Sequence, residues 1–196
     1  MAVLVEHDKR KHEILENALT LFVEEGYQDV TYQKIADRCG ITRTTLYIYF
    51  KNKREIFIWS LKQLTDAIET ELNETLSDQT LSASECLTKM CFEVIDECEK
   101  NHKLFNVLLD YLMQLKKTGV DCGKRIRRRT VKLEHLMSTV IIRGMQSGEF
   151  KKQSVKKINA VIYSLLEGAI FNMSLLSKTN LDDLRNSIVF VVNSIK

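Results

Sequence analysis

The sequence predicts an all-α fold of about nine helices, a small N-terminal helix-turn-helix domain (residues 1–53) followed by a helical bundle (residues 54–196). Three observations carry that expectation. The 196 residues include no Pro and only seven Gly, so little in the chain interrupts a helix. Apolar residues recur at helical spacing, most regularly at Ile158, Val161, Ile162, Leu165, Leu166, Ala169, Ile170 and Met173. Strand-like alternation of apolar and polar residues is nowhere sustained.

In chain order, Ile14, Leu15, Ala18, Leu19, Phe22 and Val23 form a helical stripe that stops at Gly26, with residues 1–7 expected as a loose tail. Thr31 stands where a hydroxyl caps the next short helix, whose buried side is Ile35 and Ala36 and whose end is Gly40. Gly40, Ile41 and Thr42 then supply a residue free to take positive φ, an apolar plug and a second capping hydroxyl, which is helix-turn-helix grammar. The following helix, Arg43 to Phe50, keeps Leu46 and Phe50 for the core. Asn52 and Glu55 start a long helix through Trp59, Leu61, Leu64 and Ile68 towards Leu76. Ser77 to Thr80 reads as a linker, and Ser82 with Glu85 as a capping box for a helix over 83–100. Further helices are expected over 103–116, from 124 to about 146, and over 155–177; Asn180 and Asp183 open the last, lined by Leu184, Ile188, Val191, Val192 and Ile195.

The helix after the turn exposes Arg43, Thr44, Thr45, Tyr47 and Tyr49, a set suited to a DNA groove. Arg forks onto the guanine edge, Thr offers a methyl to thymine or a hydroxyl to phosphate, and Tyr donates to phosphate oxygens. The candidates for base edges are Arg43, Thr44, Thr45 and, outward on the preceding helix, Gln33, whose amide can pair with adenine. The candidates for phosphates are Thr31, Thr42, Tyr47, Tyr49 and Lys53; for the two tyrosines, packing beneath the recognition helix is the alternative use. Between Arg38 and Arg54 there are five basic residues and no acidic one. That field is local, since residues 1–53 carry eight Lys and Arg against eight Asp and Glu.

Other chemistry is thinner. No run of eighteen apolar residues exists and no secretory pattern opens the chain, so no membrane association and a cytoplasmic location are expected. Five scattered Cys fit reduced thiols better than a disulfide framework. Cys91, Cys98 and His102 fall near one helical line, but Ile95 and Phe105 share it, so core packing is expected, with no metal and no cofactor. Paired carboxylates with a substrate loop and a phosphate-cradling Gly motif are both missing, so no enzymatic activity is expected. The most basic run, Lys124 to Lys132, is either a solvated helix start or a seat for an anionic partner.

The order Gly26-Tyr27, Thr31, Ile35-Ala36, Gly40-Ile41-Thr42, Thr45-Leu46-Tyr47, Tyr49-Phe50, Lys53 and Phe57 resembles the N-terminal domain of the TetR family of bacterial transcriptional regulators. Thr44 stands where the family often has Gly, and Ile48 where a polar or aromatic residue is common; both bear on which operator is read. The resemblance implies phosphate contacts near Lys9, Arg10 and Lys11, a linking helix after Lys53, and a homodimer through the two C-terminal helices on a palindromic double-stranded DNA operator. It further implies a repressor released by a small apolar or amphipathic effector. Met90, Phe105, Tyr111, Met137, Phe171 and Met173 are the adaptable or aromatic candidates to line its pocket. The alternative is a DNA-binding regulator with no small-molecule effector, controlled by a protein partner or by thiol oxidation.

Overall fold

Three side-chain caps set the helix starts that the sequence marks. The hydroxyl of Thr31 accepts from the Lys34 amide, that of Thr42 from Thr45, and that of Ser82 from Glu85, whose own carboxylate accepts from the Ser82 amide. Such caps satisfy amides that the first helical turn leaves without partners. At Asn52 the arrangement is offset by one residue: its side chain accepts from the Glu55 amide, while the Glu55 carboxylate accepts from the Lys51 amide.

The computed structural model describes residues 2–117, 119, 123–176 and 180–196, with side chains described except at 1–5, 118, 120–130 and 174–179. The described residues form nine helices: α1 (Ala2–Asp29), α2 (Tyr32–Arg38), α3 (Arg43–Tyr49), α4 (Lys53–Ser77), α5 (Ala83–Lys100), α6 (His102–Lys117), α7 (Gly123–Ser147), α8 (Val155–Leu176) and α9 (Asp182–Ser194). The fold is all-α, as expected. One difference lies at the start: a loose tail is expected over residues 1–7, and residues 2–7 are helical. The chain offers no Pro, and its first Gly is Gly26, where φ is 83° and the helix kinks.

The chain divides into two compact units. The first comprises Met1–Ala67 with Val107–Tyr111, and the second Ile68–Asn106 with Leu112–Lys196. In the first, α1 packs on α2 and α2 on α3 around Ile14, Ala18, Phe22, Ile35, Leu46 and Phe57, all essentially inaccessible to solvent. The buried Ser60 hydroxyl donates to the Leu15 carbonyl at 2.9 Å. Tyr111 joins this unit: its ring lies 4.6 Å from Tyr27 and 4.9 Å from Phe57, and its hydroxyl accepts from Arg54 Nε at 3.1 Å.

In the second unit α5 is central, packed on α7, α8 and α9, with α8 against α7 and α9. Its stripe of Leu87, Met90, Cys91 and Ile95 is wholly buried. Glu149, just past α7, aims its carboxylate at the start of α5, accepting from the Ala83 amide at 2.7 Å and the Ser84 amide at 2.8 Å. Burial works to raise the Glu149 carboxyl, but these hydrogen bonds outweigh it and hold the group below its ordinary value. Nearby, Gly144 is a steric requirement. A Cβ there would overlap the Phe150 ring and the Ala83 methyl. Gly144→Ala is therefore expected to destabilise the protein by about 1–3 kcal/mol despite the better helix propensity of Ala, measured as a lower midpoint in urea unfolding. The side chains of Lys124 to Arg129 lie outside the described residues; Lys132 pairs with Glu69 at 2.7 Å.

Candidate nucleic-acid interface

The interface is built from two seven-residue helices and one tight turn. After α2, Gly40 takes φ of 62°, and the next amide, of Ile41, donates back to the Ala36 carbonyl at 3.0 Å. This reverses the chain within a few residues, and Thr42 caps α3 as the chain re-enters helix. Leu46 anchors α3 in the core at 0% exposure. The opposite side faces solvent.

On that side Arg43, Thr44, Tyr47 and Ile48 are exposed. Tyr47 is not loose: its ring stacks on Tyr32 with centroids 4.6 Å apart, and the Tyr32 hydroxyl donates to the Phe50 carbonyl at 2.6 Å. Burial, then the neighbouring Tyr47 and Glu55, push the Tyr32 phenol up to about 12, so it stays a donor. Arg43 in turn donates to the Tyr47 hydroxyl at 3.3 Å, with its guanidinium 5.9 and 5.8 Å from the Tyr32 and Tyr47 rings. The Tyr32 platform thus positions both Tyr47 and Arg43. It has a sequence signal that the α2 reading passed over: Tyr32 stands three and four residues before Ile35 and Ala36, on their side of the helix.

The other candidates are placed as follows. Gln33 is exposed and bonded through its amide to Asp37 at 2.7 Å. Thr31 and Thr42 are exposed, each using its hydroxyl as a cap, and Thr45 is half-buried with its hydroxyl 2.8 Å from that of Thr42. Tyr49 is half-buried and stacks on His7 of α1 at 4.6 Å. Lys53 Nζ donates to the carbonyls of Tyr27, Gln28 and Val30 at 2.8, 3.2 and 2.7 Å. Its ammonium holds the end of α1, where a cation also complements the helix dipole. Lys53→Met is therefore expected to cost about 1–3 kcal/mol of stability while leaving the salt dependence of DNA binding unchanged. A phosphate contact by that ammonium would instead lower the salt slope by roughly 1.

The local basic field is also partly spent. Arg38 pairs with Glu24, Lys34 with Glu25, and Arg10 bonds Glu13 and the Cys39 carbonyl. Lys11 sits over the Trp59 ring at 4.4 Å. Arg43, Lys51 and Lys9 remain exposed on the surface.

In the second unit Met90, Met137 and Met173 share one buried cluster, and Phe105 packs against it. Phe171 is 54% exposed, and Tyr111 belongs to the first unit. A separate open groove of about 560 Å³ runs along α5 and α9, lined by Leu81, Thr88, Phe92, Glu93 and Val192 among others. Burial pushes the Cys91 and Cys98 thiols up to about 12, aided at Cys98 by Glu97 and Glu99. No metal-holding group of His, Cys, Asp and Glu occurs among the described residues, and none of their helices is long and apolar enough to cross a membrane.

With this geometry in view, residues 14–58 match the family model for bacterial regulatory proteins of the tetR family. The fatty acid metabolism regulator protein of Bacillus subtilis is 24% identical over 140 residues, 71% of this chain and 70% of that protein. The negative transcriptional regulator IcaR of the Staphylococcus aureus biofilm operon is 32% identical over 94 residues, 47% of this chain and 49% of that protein. Among solved structures, a TetR transcription regulator from Haloarcula marismortui superposes with a TM-score of 0.84 at 19% identity, covering 96% of this chain and 98% of that one. FadR of Bacillus subtilis, solved in complex with stearoyl-CoA, gives 0.75 at 23% identity, covering 94% and 98%. At these identities the structures establish a shared fold. The helix-turn-helix match and the common architecture agree: residues 14–58 form a helix-turn-helix domain of the TetR family of bacterial regulatory proteins, in a chain that shares the fold of TetR transcription regulators.

Proposed function

We propose that this protein is a homodimeric repressor that binds a palindromic operator through residues 1–53 and is released by an effector bound within residues 54–196. The observation that carries the DNA reading is the outward face of α3. Arg43 is exposed, positioned by the Tyr32–Tyr47 stack, and backed by a helix whose other side is locked into the core at Leu46. A forked donor held in place loses little entropy on meeting a guanine edge.

Dimerisation is supported by apolar side chains on α8 and α9 that solvent covers in the single chain. Val161 and Phe171 on α8 and Val189 and Phe190 on α9 are exposed, Phe190 at 74%. Gly168, on the same side of α8 as Val161 and Phe171, faces open space and would let a second helix approach closely. A pair of such faces makes a four-helix interface and sets two α3 helices against two half-sites.

For the effector, the similarity to FadR suggests a long acyl chain, and the flexible Met90, Met137 and Met173 suit an apolar guest. Thiol control draws no support from α5, where burial keeps Cys91 and Cys98 protonated at neutral pH. The test uses a duplex enriched by the protein from random sequence. Stearoyl-CoA should release the protein from that duplex while coenzyme A alone does not. Unchanged binding with acyl chains of every length would overturn the effector assignment and leave the DNA assignment standing.

A further inference from the structure

The geometry points to a thymine-methyl reader on α3, formed by Ile48 with the methyl of Thr44, and this rests on the DNA reading above. Leu46 fixes the inward direction of α3 at 0% exposure. At about 100° per residue, the direction opposite Leu46 falls between Thr44 and Ile48, about 20° from each. These two side chains therefore form the crest of the helix. Arg43 and Tyr47 lie on one flank, tied to each other and to Tyr32, and the Thr45 hydroxyl is tied to Thr42 on the other.

Ile48 is 69% exposed, a large aliphatic side chain at the point farthest from the core. No described residue of its own unit covers it, although Leu46 and Phe50 on the same short segment are buried. A residue without a donor or acceptor cannot take part in the hydrogen-bond code of the major groove. Pressed against a G·C edge, it would strip water from polar groups and return no hydrogen bond. The one apolar group the major groove offers is the 5-methyl of thymine. Thr44 extends the same surface one helical turn earlier, since residues four apart are neighbours on a helix. Arg43 beside this crest would read a guanine, so each half-site should carry a guanine flanked by one or two methyl-bearing thymines.

The test starts from the duplex enriched by the wild-type chain and replaces each thymine in turn by deoxyuridine, which removes the methyl and keeps the base pair. At one or two positions per half-site, affinity should fall about fourfold per buried methyl. Ile48→Val should keep that penalty. Ile48→Ala should lose the penalty at the thymine that Ile48 covers and keep only what the Thr44 methyl contributes, with unchanged thermal unfolding because the position is exposed and Ala favours helix. Two results overturn the inference: a wild-type chain indifferent to uracil at every position, or an Ile48→Ala variant that keeps the full penalty. If random sequence yields no enriched duplex at all, the DNA reading itself fails and this inference falls with it. Enrichment with methyl-independent binding sinks only the role of Ile48.

Discussion

Arg43→Ala is expected to weaken binding to the enriched operator by about tenfold to a hundredfold per half-site, the range of one forked arginine–guanine contact. Binding to unrelated duplex should change little, because that term comes from phosphates and Arg43 is one cation among several. Arg43→Lys separates the fork from the charge. It keeps the charge and loses the planar fork and the stacking near Tyr32 and Tyr47, so most of the selectivity should go while the salt slope stays. If Arg43→Lys bound like the wild type, the contact would be a point charge on a phosphate.

The second large effect is expected at the other end of the chain. Phe190→Glu places a carboxylate on the exposed apolar face of α9, where the single chain tolerates it because the position is 74% exposed. In the proposed dimer the same carboxylate is buried at an apolar interface twice over, at a cost of several kcal/mol per ion. The variant should run as a monomer in analytical ultracentrifugation with unchanged helix content. Its operator affinity should fall at least about a hundredfold, because two half-sites are no longer engaged by one molecule. A Phe190→Glu protein that remained dimeric would move the interface away from α9.

How much of this was legible in the chain depends on how local the physics is. Thr31, Thr42 and Ser82 announced their helices because a cap acts within three residues, and the observed partners are Lys34, Thr45 and Glu85. Cys91 and Cys98 were legible as core because Ile95 shares their stripe, and they are buried. Lys53 was not legible in the same way. Its three carbonyl partners come from residues 27 to 30, more than twenty positions earlier, and no pattern around Lys53 announces them. Tyr111 is a similar case: its neighbours Tyr27, Arg54 and Phe57 are brought to it by the fold, and α6 shows only an aromatic among leucines. The helical start of α1 was not legible because the apolar run Ala2 to Val5 has no helical spacing of its own, whereas helix persists until a breaker stops it. On α3 the expected outward set holds for Arg43, Thr44 and Tyr47, whereas Thr45 and Tyr49 are half-buried against Thr42 and His7 and Ile48, absent from that set, is 69% exposed; the stack that holds Arg43 required coordinates.

The most direct test of the central claim, that α3 reads sequence, is affinity for the enriched duplex and for a scrambled duplex of equal length, titrated together over salt. The enriched duplex should bind at least about a thousandfold tighter at physiological salt, with the ratio largely surviving as salt rises and both affinities fall. Equal affinity for the two duplexes at every salt concentration would contradict that claim, and would reduce the exposed face of α3 to a general phosphate-binding surface.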